Sequence, residues 1–370
     1  MGNALKETKD KIKKKALEKM GEKFSHPDFA VADSSVVEQA SSCPTAQYLS
    51  TLVPETKVLA DLTAGLGVNS LFFSLNAGTV YSIECDRHRA EAFADNVKKL
   101  GIENIKVINM DCIKWLKSTS LNPDVVFVDP ARRNVNHDRF YSLEQSSPDV
   151  REIIPLIKTR SKRLLVKASP LLDLRAAARI LPGVTGFHIL EFNREVKELI
   201  IDINPSDETF AEDYFVKCVR LKKDSEPEII EFDCKIAEGK ETNGLFISSE
   251  DELKEYRYIL EPSPSIMKSG CFSLLAERFP GIKLMSSNTH LFLSKEQYRD
   301  FPGRKFEITG AVSSGDLKKM KGDKYNVISR NHPAKASDIV SRYKLQPSED
   351  RFLIACKLGN DKKIYSAERR

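Results

Sequence analysis

Short apolar segments alternate with amphipathic stretches between residues 57 and 203, and this alternation constrains the fold more than any other feature. Continuous apolar runs are typical of parallel strands that helices cover on both faces. Only a few residues join the last two runs, which is too short for a parallel crossover and predicts antiparallel pairing. The predicted strands are 57–62, 79–84, 105–110, 124–129, 163–168, 185–190 and 197–203. The sequence therefore predicts a doubly wound, Rossmann-like α/β sheet of seven strands with the last one antiparallel.

The segments on either side have a different character. Apolar positions in 4–24 and 34–52 recur at helical spacing, with a break expected near Cys43-Pro44. After residue 205, charged turns separate short strands, and a helix is expected from Ser265 to Phe279, which predicts an α+β module of ferredoxin-like character. We therefore expect four parts: an N-terminal helical segment at 1–54, the α/β domain at 55–205, an acidic β-rich and ferredoxin-like domain at 206–300, and a basic domain at 301–370.

Charge is distributed unevenly along the chain. Residues 206–260 carry 8 Lys/Arg and 15 Asp/Glu, a net charge of −7, whereas residues 301–370 carry 16 Lys/Arg and 8 Asp/Glu, a net charge of +8. A basic module of this kind often binds phosphate backbones. A solvated lysine-rich surface explains the same charge equally well, so charge alone leaves both interpretations open.

Several classes of protein are disfavoured by composition. No apolar run approaches the roughly 18 residues of a membrane span, and the N-terminus lacks the apolar core of a secretory signal. Seven cysteines without a C-x-x-C pair predict reduced thiols in a cytoplasm rather than a disulfide framework. Six dispersed histidines and the lack of an H-E-x-x-H motif predict that the protein uses no metal.

The stretch D-L-T-A-G-L-G, Asp61 to Gly67, follows the first predicted strand and precedes a helix. Ligands of doubly wound sheets bind outside the carboxyl ends of the strands, where the strand order reverses. Gly65 and Gly67 permit a tight turn and a close approach of the backbone to a ligand. Because Ser70 stands where a dinucleotide fingerprint prefers a third Gly or Ala, the glycines alone indicate no particular cofactor. The loop, with Thr63 among its residues, is a candidate cofactor-binding segment.

Acidic residues end the following strands as well. Glu84 lies 17 residues beyond Gly67, where a carboxylate can accept hydrogen bonds from both ribose hydroxyls. Asp86 follows it, and Asp111-Cys112 ends the third strand, where a carboxylate can accept from an adenine amino group. Four successive strands end in Asp61, Glu84, Asp111 and Asp129. A nicotinamide enzyme would explain the glycines and Glu84, but it would not need the acids at the ends of the other three strands.

A second candidate site is D-P-A-R-R, residues 129–133, at the end of the fourth strand. Pro130 fixes the backbone, so that its carbonyl and the Asp129 carboxylate could orient an acceptor nitrogen or oxygen. Arg132 and Arg133 could hold a phosphate or stack on a base, or they could be solvated loop charges. An ordinary strand-to-loop turn explains the Asp-Pro pair equally simply.

These features together resemble a known family. The chain is similar to the class I S-adenosylmethionine-dependent methyltransferases that carry a THUMP-like domain, which are common in Bacteroidetes. The resemblance covers the chain beyond about residue 35 and rests on S-S-C-P-T-A (41–46), D-L-T-A-G-L-G-V (61–68), V-D-P-A-R-R (128–133), V-K-A-S-P-L-L-D-L (166–174), V-K-E-L (196–199), E-P-S-P-S-I-M-K-S-G (261–270), N-T-H-L (288–291) and F-P-G-R-K-F (301–306).

The resemblance implies a class I methyltransferase fold with a ferredoxin-like region around 261–300 and a THUMP-like tail around N-H-P (331–333). It implies S-adenosylmethionine as cofactor and S-adenosylhomocysteine as product. The residues assigned on this basis to catalysis are Asp129, Pro130 and Arg132. Those assigned to cofactor binding are Asp61, Thr63, Gly65, Gly67, Glu84, Asp86, Asp111, Cys112 and Asp129. Those assigned to substrate binding are Arg132, Arg133, Tyr141 and Lys167.

Two departures from related enzymes bear on the chemistry. Amino-group methyltransferases of nucleic acids usually show D/N-P-P followed by an aromatic that stacks on the flipped base, whereas Ala131 and Arg132 stand at those positions. Phe140 and Tyr141 are candidates for the missing stacking surface, with core packing the alternative for at least one of them. The S-C-N-P of uracil-C5 methyltransferases, which holds their nucleophilic cysteine, is replaced by V-K-A-S-P, and this disfavours covalent C5 chemistry.

Lys167 lies at the carboxyl end of the fifth predicted strand, so it either faces the active site or pairs with Asp129 or Asp173. The S-S-C-P-T-A segment precedes the first strand and is expected to cover the cofactor. No basic cluster surrounds Cys43, which we interpret as structural, and Ser42 and Thr45 are the expected contacts of this lid.

Three functions are compatible with these features. The leading hypothesis is methyl transfer to a base in tRNA or rRNA by direct in-line displacement, without a cysteine nucleophile. The alternative is methylation of a protein or small molecule, with the basic tail as an interaction or oligomerisation module. The third is a non-catalytic nucleic-acid binder on a degenerate fold, against which the complete set of strand-end acids argues. We expect a cytoplasmic protein with RNA as partner and no membrane contact; the sequence does not settle its oligomeric state.

Overall fold

A computed structural model describes residues 2–132, 146–223, 225–235, 245–247, 249–286, 288–358 and 361–370. The chain divides into two compact units, Met1–Ala237 and Glu238–Arg370.

The strands of the first unit are β1 (Thr56–Asp61), β2 (Ala77–Glu84), β3 (Ile105–Asn109), β4 (Val125–Val128), β5 (Ala131–Arg132), β6 (Ser146–Ser147), β7 (Arg163–Ala168), β8 (Val184–Phe192), β9 (Glu195–Ile203), β10 (Asp213–Lys222) and β11 (Ser225–Lys235). Its helices are α1 (Gly2–Met20), α2 (Ser34–Gln39), α3 (Cys43–Thr51), α4 (Val68–Phe73), α5 (Arg87–Lys99), α6 (Cys112–Ser118), α7 (Val150–Ile157) and α8 (Leu174–Ile180), with a 3₁₀ turn at Glu22–Phe24.

The main sheet of this unit has the order β11-β10-β8-β9-β7-β4-β1-β2-β3 in the described part of the chain. Strands β1, β2, β3, β4 and β7 run parallel to their neighbours in that group, and β9 pairs antiparallel with both β7 and β8. All seven predicted strands are therefore confirmed, including the antiparallel orientation of the seventh. The reversal of strand order beside β1 places a crevice outside the ends of β1 and β4.

Two further strands extend this sheet beyond the predicted seven. Strand β10 pairs parallel with β8, and β11 pairs antiparallel with β10. Tyr214, Val216 and Cys218 are buried at alternate positions of β10, so one face of this strand packs into the unit. Residues 213–235 thus belong to the first unit, and the boundary predicted at 205/206 does not coincide with a division of the structure. The acidic composition that suggested the boundary lies partly on β11, the outermost strand.

The N-terminal helices share the core of the sheet instead of forming a separate body. Ala16 and Met20 of α1 are fully buried in the same apolar cluster as β1 and α4. Phe24 contacts Phe72 edge to face at 5.1 Å between ring centroids. The helical stretch expected over 34–52 is broken close to the expected position, because Ala40 is extended and Pro44 occupies the first turn of α3. The segment between α2 and α3 lines the cavity that is described below.

The elements of the second unit are α9 (Glu250–Leu253), β12 (Tyr258–Pro262), α10 (Pro264–Ser269), α11 (Phe272–Arg278), β13 (Lys283–Leu284), β14 (Phe292–Ser294), β15 (Gly303–Ala311), α12 (Ser314–Lys319), β16 (Asn326–Arg330), α13 (Ala336–Tyr343), β17 (Arg351–Leu358) and β18 (Asp361–Arg369). One sheet of order β13-β14-β12-β15-β18-β17-β16 contains all of its described strands.

This single sheet crosses the boundary predicted at residue 300. Strand β12 pairs with both β14 and β15, so strands from either side of that position share one core. The helix expected from Ser265 to Phe279 is interrupted at Gly270, whose φ of 69° ends α10 in the left-handed conformation. Left-handed backbone is readily available only to glycine, and this explains the break.

None of the described helices is both long and apolar enough to cross a membrane.

Candidate active site

A cavity of about 420 Å³ lies at the carboxyl ends of β1, β2 and β4 in the first unit. Six of the predicted cofactor-binding residues line it: Thr63, Gly65, Glu84, Asp111, Cys112 and Asp129. The remaining three, Asp61, Gly67 and Asp86, are not among its lining residues. The pattern of acids and glycines at the strand ends therefore identified the position of the cavity. The nine residues do not all have the same role there, as the following contacts show.

Glu84 is a buried carboxylate that organises the glycine loop. One of its oxygens accepts a hydrogen bond from the Gly65 backbone N–H at 2.8 Å, and the other accepts from the Asp86 N–H at 2.8 Å. The oxygen that accepts from Asp86 also accepts a weak hydrogen bond from the Cys85 thiol at 3.6 Å. A carboxylate has about four acceptor positions, so the oxygen that accepts from Gly65 can still accept a hydrogen bond from a ligand. Glu84 thus joins the loop after β1 to the end of β2 and remains available to the cavity.

Asp61 differs from the prediction because it lies beneath the loop instead of on the cavity wall. It is 1% exposed, accepts from the Ser70 hydroxyl at 2.6 Å and accepts from the Thr63 N–H at 3.2 Å. Burial raises its pKa to about 7, and the charges of Asp129 and Glu84 act in the same direction. Asp61 therefore shapes the loop as a buried anchor, which sequence position alone could not distinguish from a ligand contact.

Gly67 and Asp86 also have structural roles. Gly67 precedes α4 with φ of 87°, and a Cβ at this position would lie 2.0 Å from Cε2 of Phe93. Close packing against α5 thus requires glycine, independently of any ligand. Asp86 is the N-cap of α5 and accepts from the Arg89 N–H at 3.0 Å. A helix N-cap is a common role for a carboxylate after a strand.

Asp111 combines two roles, since it lines the cavity and caps α6 by accepting from the Lys114 N–H at 2.9 Å. Its neighbour Cys112 is buried in the cavity wall. Burial, reinforced by the charge of Asp111, raises the pKa of the Cys112 thiol to about 12. Cys85 also lines the cavity, and burial together with Glu84 raises its pKa. Both thiols are therefore protonated near neutral pH.

Asp129 lies at the opposite side of the strand-end crevice. Its backbone N–H donates to the Thr63 hydroxyl at 2.7 Å, and its carboxylate pairs with the Lys167 ammonium at 2.7 Å. Lys167 also donates to the Ser41 hydroxyl at 3.0 Å and lies 3.7 Å from Glu198. Of the two partners that the sequence offered for Lys167, the structure thus shows Asp129.

The ammonium of Lys167 is held in its charged form. Burial alone would favour the neutral amine, but the adjacent carboxylates of Asp129 and Glu198 outweigh it and raise the pKa of Lys167. The side chain is only 12% exposed. Lys167 is accordingly a fixed positive charge at the end of β7, behind Asp129.

The rest of the D-P-A-R-R motif is described in part. Ala131 lines the cavity, whereas Pro130 is not among the lining residues. The backbone of Arg132 belongs to β5, which pairs with β6. Arg133, Phe140 and Tyr141 lie outside the described residues. Their predicted roles stay predictions, as do those of Pro130 and the Arg132 side chain.

Two segments line the cavity that the sequence did not assign residue by residue. The first consists of Val36 and Gln39 of α2 and of Ala40 and Ser41, which follow this helix. The expected lid contacts Ser42 and Thr45 are not among the lining residues. The second segment is Ser147, Pro148, Asp149 and Glu152, at the start of α7. The S-S-C-P-T-A motif was a signal for the first segment, and no periodicity pointed to the second.

Asn69, in the first turn of α4, is a further lining residue that the sequence analysis passed over. It is 8% exposed, and its Oδ1 is buried without a hydrogen-bond partner among the described residues. A buried amide oxygen without a partner costs free energy, so a ligand that donates a hydrogen bond here would be favoured. This acceptor and Glu84 fit a cofactor with both hydroxyl and ammonium donors, such as S-adenosylmethionine.

Among the described residues, no group of three or more His, Cys, Asp or Glu side chains could hold a metal ion.

Comparison with known proteins supports the fold. A family model described as a ferredoxin-like domain matches residues 258–302. The solved structure of a proposed methyltransferase from Porphyromonas gingivalis W83 superposes with a TM-score of 0.80 at 24% identity, and the match covers 92% of this chain and 84% of that one. The chain therefore combines a methyltransferase fold with a ferredoxin-like domain, and the ferredoxin-like prediction is confirmed. The THUMP-like assignment of 301–370 stays a prediction.

Curated relatives match a shorter part of the chain. An uncharacterised RNA methyltransferase of Clostridium acetobutylicum is 35% identical over 95 residues, which is 25% of this chain and 21% of the relative. Another, from Mycoplasma mobile, is 36% identical over 78 residues, which is 21% of this chain and 22% of the relative. The chain thus matches only about a fifth of the length of these relatives.

Proposed function

We propose that this protein transfers a methyl group from S-adenosylmethionine to a base in tRNA or rRNA. The observation that carries the proposal is the cavity at the switch point of the sheet, which Glu84, Asp111 and Asp129 all line. Ligands of doubly wound sheets bind at this position. The proposal assigns Glu84 to the ribose hydroxyls, Asp111 to the adenine amino group and Asn69 to a donor on the amino-acid part.

When bound, the cofactor supplies an electrophilic methyl group on a sulfonium sulfur. The contribution of the chain is to orient an acceptor and exclude water, and well-oriented reactants alone can lower a barrier by about 7–11 kcal/mol. Asp129 is the proposed orienting residue, because it lines the cavity while Thr63 and Lys167 fix its backbone and one carboxylate oxygen. The protonated thiols of Cys85 and Cys112 favour direct in-line displacement over a covalent cysteine intermediate.

RNA is the proposed acceptor because of the basic C-terminal region and the names of the curated relatives. In the second unit, the Gly322 N–H donates to the Tyr343 carbonyl at 3.0 Å, which brings the turn after α12 next to the end of α13. Exposed basic side chains on these two neighbouring elements are Lys318, Lys319, Lys321, Lys324, Arg342 and Lys344. A surface of this charge suits a phosphate backbone. We further propose that the protein acts in the cytoplasm and without a metal.

The test is methyl transfer from S-[methyl-³H]adenosylmethionine into total RNA from a strain that lacks the gene. RNA from the parent strain and a protein extract from the deletion strain serve as parallel acceptors. We expect label in the deletion-strain RNA and little in the parent RNA, where the position is already methylated. Fractionation into tRNA and rRNA, followed by nucleoside mass spectrometry, then identifies the acceptor. Asp129→Ala should abolish label while the variant still binds S-adenosylhomocysteine.

Other outcomes would contradict separate parts of the proposal. Label in protein or small molecules would leave methyl transfer intact and reject RNA. Binding of S-adenosylhomocysteine without transfer to any fraction would indicate a non-catalytic protein.

The basic surface is tested by the double variant Lys321→Glu/Arg342→Glu. The control is Lys98→Glu/Lys223→Glu, which makes an equal charge change at exposed sites of the first unit. RNA affinity should fall in the first variant only and should decrease steeply between about 50 and 200 mM salt.

A further inference from the structure

Three charged groups from neighbouring strands meet behind the cavity wall. The Nζ of Lys167, near the end of β7, lies 2.7 Å from Oδ2 of Asp129 and 3.7 Å from Oε1 of Glu198. Glu198 reaches this point because β9 pairs antiparallel with β7, with Ala168 opposite Leu199. One ammonium is therefore placed between two carboxylates, and only Asp129 of the three lines the cavity.

The far end of this cluster is rigid and buried. Glu198 is 6% exposed, and its Oε1 accepts from the Thr45 hydroxyl at 3.0 Å. Its Oε2 is buried without a hydrogen-bond partner among the described residues. A carboxylate that is buried with one unpaired oxygen is costly, so the nearby ammonium is what makes its charge tolerable. Glu198 in turn holds Lys167 against Asp129.

The near end of the cluster is open to the site. The Lys167 ammonium donates to Oδ2 of Asp129, while no described residue donates to Oδ1. A charge-assisted hydrogen bond to one oxygen is short and directional, so it restricts the orientation of the carboxylate. The second oxygen is then free to accept a hydrogen bond from a substrate.

We propose that Lys167 and Glu198 are positioning residues that hold the Asp129 carboxylate in the orientation that the acceptor requires. The inference rests on the proposed methyl transfer for its functional consequence, but its electrostatic part can be measured without activity. Lys167 supplies the positive charge and Glu198 fixes the position of that charge. Neither residue contacts the reacting atoms in this proposal.

Other charges that act on this cluster define the controls. Asp61 on β1 and Glu84 on β2 add negative charge on the cavity side, and Lys19 on α1 adds positive charge near Lys167. The pKa of Asp61 is about 7, so its own titration changes the charge beside this cluster near neutral pH. Each measurement is therefore repeated in an Asp61→Asn background.

The experiment compares Lys167→Met, Lys167→Arg and Glu198→Gln with the unmodified protein. The readout independent of activity is the coupling between Lys167 and Asp129, measured as a double-mutant cycle of Lys167→Met and Asp129→Asn in urea unfolding at pH 7. We expect Lys167→Met to change the free energy of unfolding less in the Asp129→Asn background, because the ion pair is then already lost. Glu198→Gln should weaken this coupling, because it removes the carboxylate that holds the ammonium in place, whereas Lys167→Arg keeps the charge and should lose less stability than Lys167→Met.

The functional readout is the kcat of methyl transfer, set against the affinity for the cofactor product. Lys167→Met should lower kcat at pH 7 by about a hundredfold, while the Kd for S-adenosylhomocysteine changes less than about threefold. Lys167→Arg should recover most of the activity.

Additive effects of Lys167→Met and Asp129→Asn on the free energy of unfolding, or a kcat that Lys167→Arg does not recover, would overturn the proposal. The same conclusion follows if the coupling vanishes in the Asp61→Asn background. If Lys167→Met does not fold, the other two variants still decide: Glu198→Gln should lower kcat, and Lys167→Arg should not. Coupling as expected in a protein without methyl transfer to any acceptor would reject the proposed function and keep the ion-pair arrangement.

Discussion

The hydroxyl of Thr63 accepts a hydrogen bond from the backbone N–H of Asp129 at 2.7 Å, and this contact joins the loop after β1 to the residue that follows β4. The two residues lie 66 positions apart in the chain and both line the cavity. A side chain from one strand end thus sets the backbone position of the proposed orienting residue at the next.

Thr63→Val keeps the shape of the side chain but removes this acceptor. We expect the free energy of unfolding to fall by about 1–2 kcal/mol, because the Asp129 N–H loses its partner. We also expect kcat to fall more than affinity for S-adenosylhomocysteine, since the backbone of Asp129 is released. Urea unfolding, steady-state kinetics and calorimetric binding measure the three quantities. Thr63→Ser retains the hydroxyl and should resemble the unmodified protein; equal losses in both variants would reject this role.

Glu84→Gln tests the assignment of Glu84 to the cofactor. We expect the Kd for S-adenosylhomocysteine to rise at least tenfold, equivalent to about 1.4 kcal/mol, because a charged acceptor is replaced by a group with only one acceptor oxygen. Isothermal titration calorimetry measures the change. Glu91→Gln, on the exposed surface of α5, is the matched control and should bind normally. An unaltered Kd in Glu84→Gln would leave Glu84 with its role in the loop alone.

Asn69→Leu separates a ligand-binding role from a structural one. Removing a buried amide oxygen without a described partner should leave the free energy of unfolding of the apo protein unchanged or raise it by up to about 1 kcal/mol. The Kd for S-adenosylhomocysteine should nevertheless rise about tenfold, since a polar contact with the ligand is lost. Thermal unfolding with and without ligand reports both effects. A large loss of stability in the apo variant would indicate that Asn69 serves packing instead.

The main sheet and the location of the site were predictable because their signals are local. Buried parallel strands are continuous apolar runs, and acids at their carboxyl ends must meet at one edge of the sheet. Glu84, Asp111 and Asp129 were found in this way. Asp61 carried the same signal, yet the Ser70 hydroxyl and burial beneath the loop give it a different role. The sequence pattern identifies which residues gather at an edge, but not which of them face the ligand.

Other features depend on contacts between distant parts of the chain. Ser41 lines the cavity and contacts Lys167, 126 positions away, which no periodicity could indicate. Short strands were expected after residue 205, but an apolar pattern does not specify that the partner of β10 is β8 rather than a strand of the next domain. The pairing is decided by which sheet edge is available in the folded chain.

Asp61→Asn should change the stability of the protein in a pH-dependent way. A carboxyl with a pKa near 3.9 in the unfolded chain and about 7 in the folded protein keeps its proton longer in the folded state. The free energy of unfolding of the unmodified protein should therefore fall as the pH rises from about 4 to about 7, whereas the amide of the variant does not titrate. Relative to the unmodified protein, Asp61→Asn should gain stability over this window, by up to about 4 kcal/mol.

Urea unfolding at several pH values from 4.5 to 8 measures the difference between the two proteins. Asp33→Asn is the control: burial would raise the pKa of Asp33, but hydrogen bonds from Ser35 and the Val36 N–H outweigh it and lower that pKa to about 2. The contribution of Asp33 is lost only as the pH falls below about 4, so the difference between this variant and the unmodified protein should stay constant over the range. A pH-independent difference for Asp61→Asn would show that Asp61 is ionised in the folded protein.

Gly67→Ala tests whether glycine is required by packing at the start of α4. The φ of 87° is unfavourable for alanine, and the new Cβ would lie 2.0 Å from a Phe93 ring carbon. Gly101→Ala provides the matched control, because Gly101 has φ of 66° and a Cβ added there would meet no atom within 4 Å. Positive φ alone should destabilise by about 1–2 kcal/mol, and the clash should add about 1–3 kcal/mol. Urea unfolding should therefore show a larger loss for Gly67→Ala than for Gly101→Ala, and Phe93→Leu should restore part of the difference in the double variant. Equal losses at the two glycines would mean that α5 moves away at no cost, and that backbone conformation alone selects glycine in this loop.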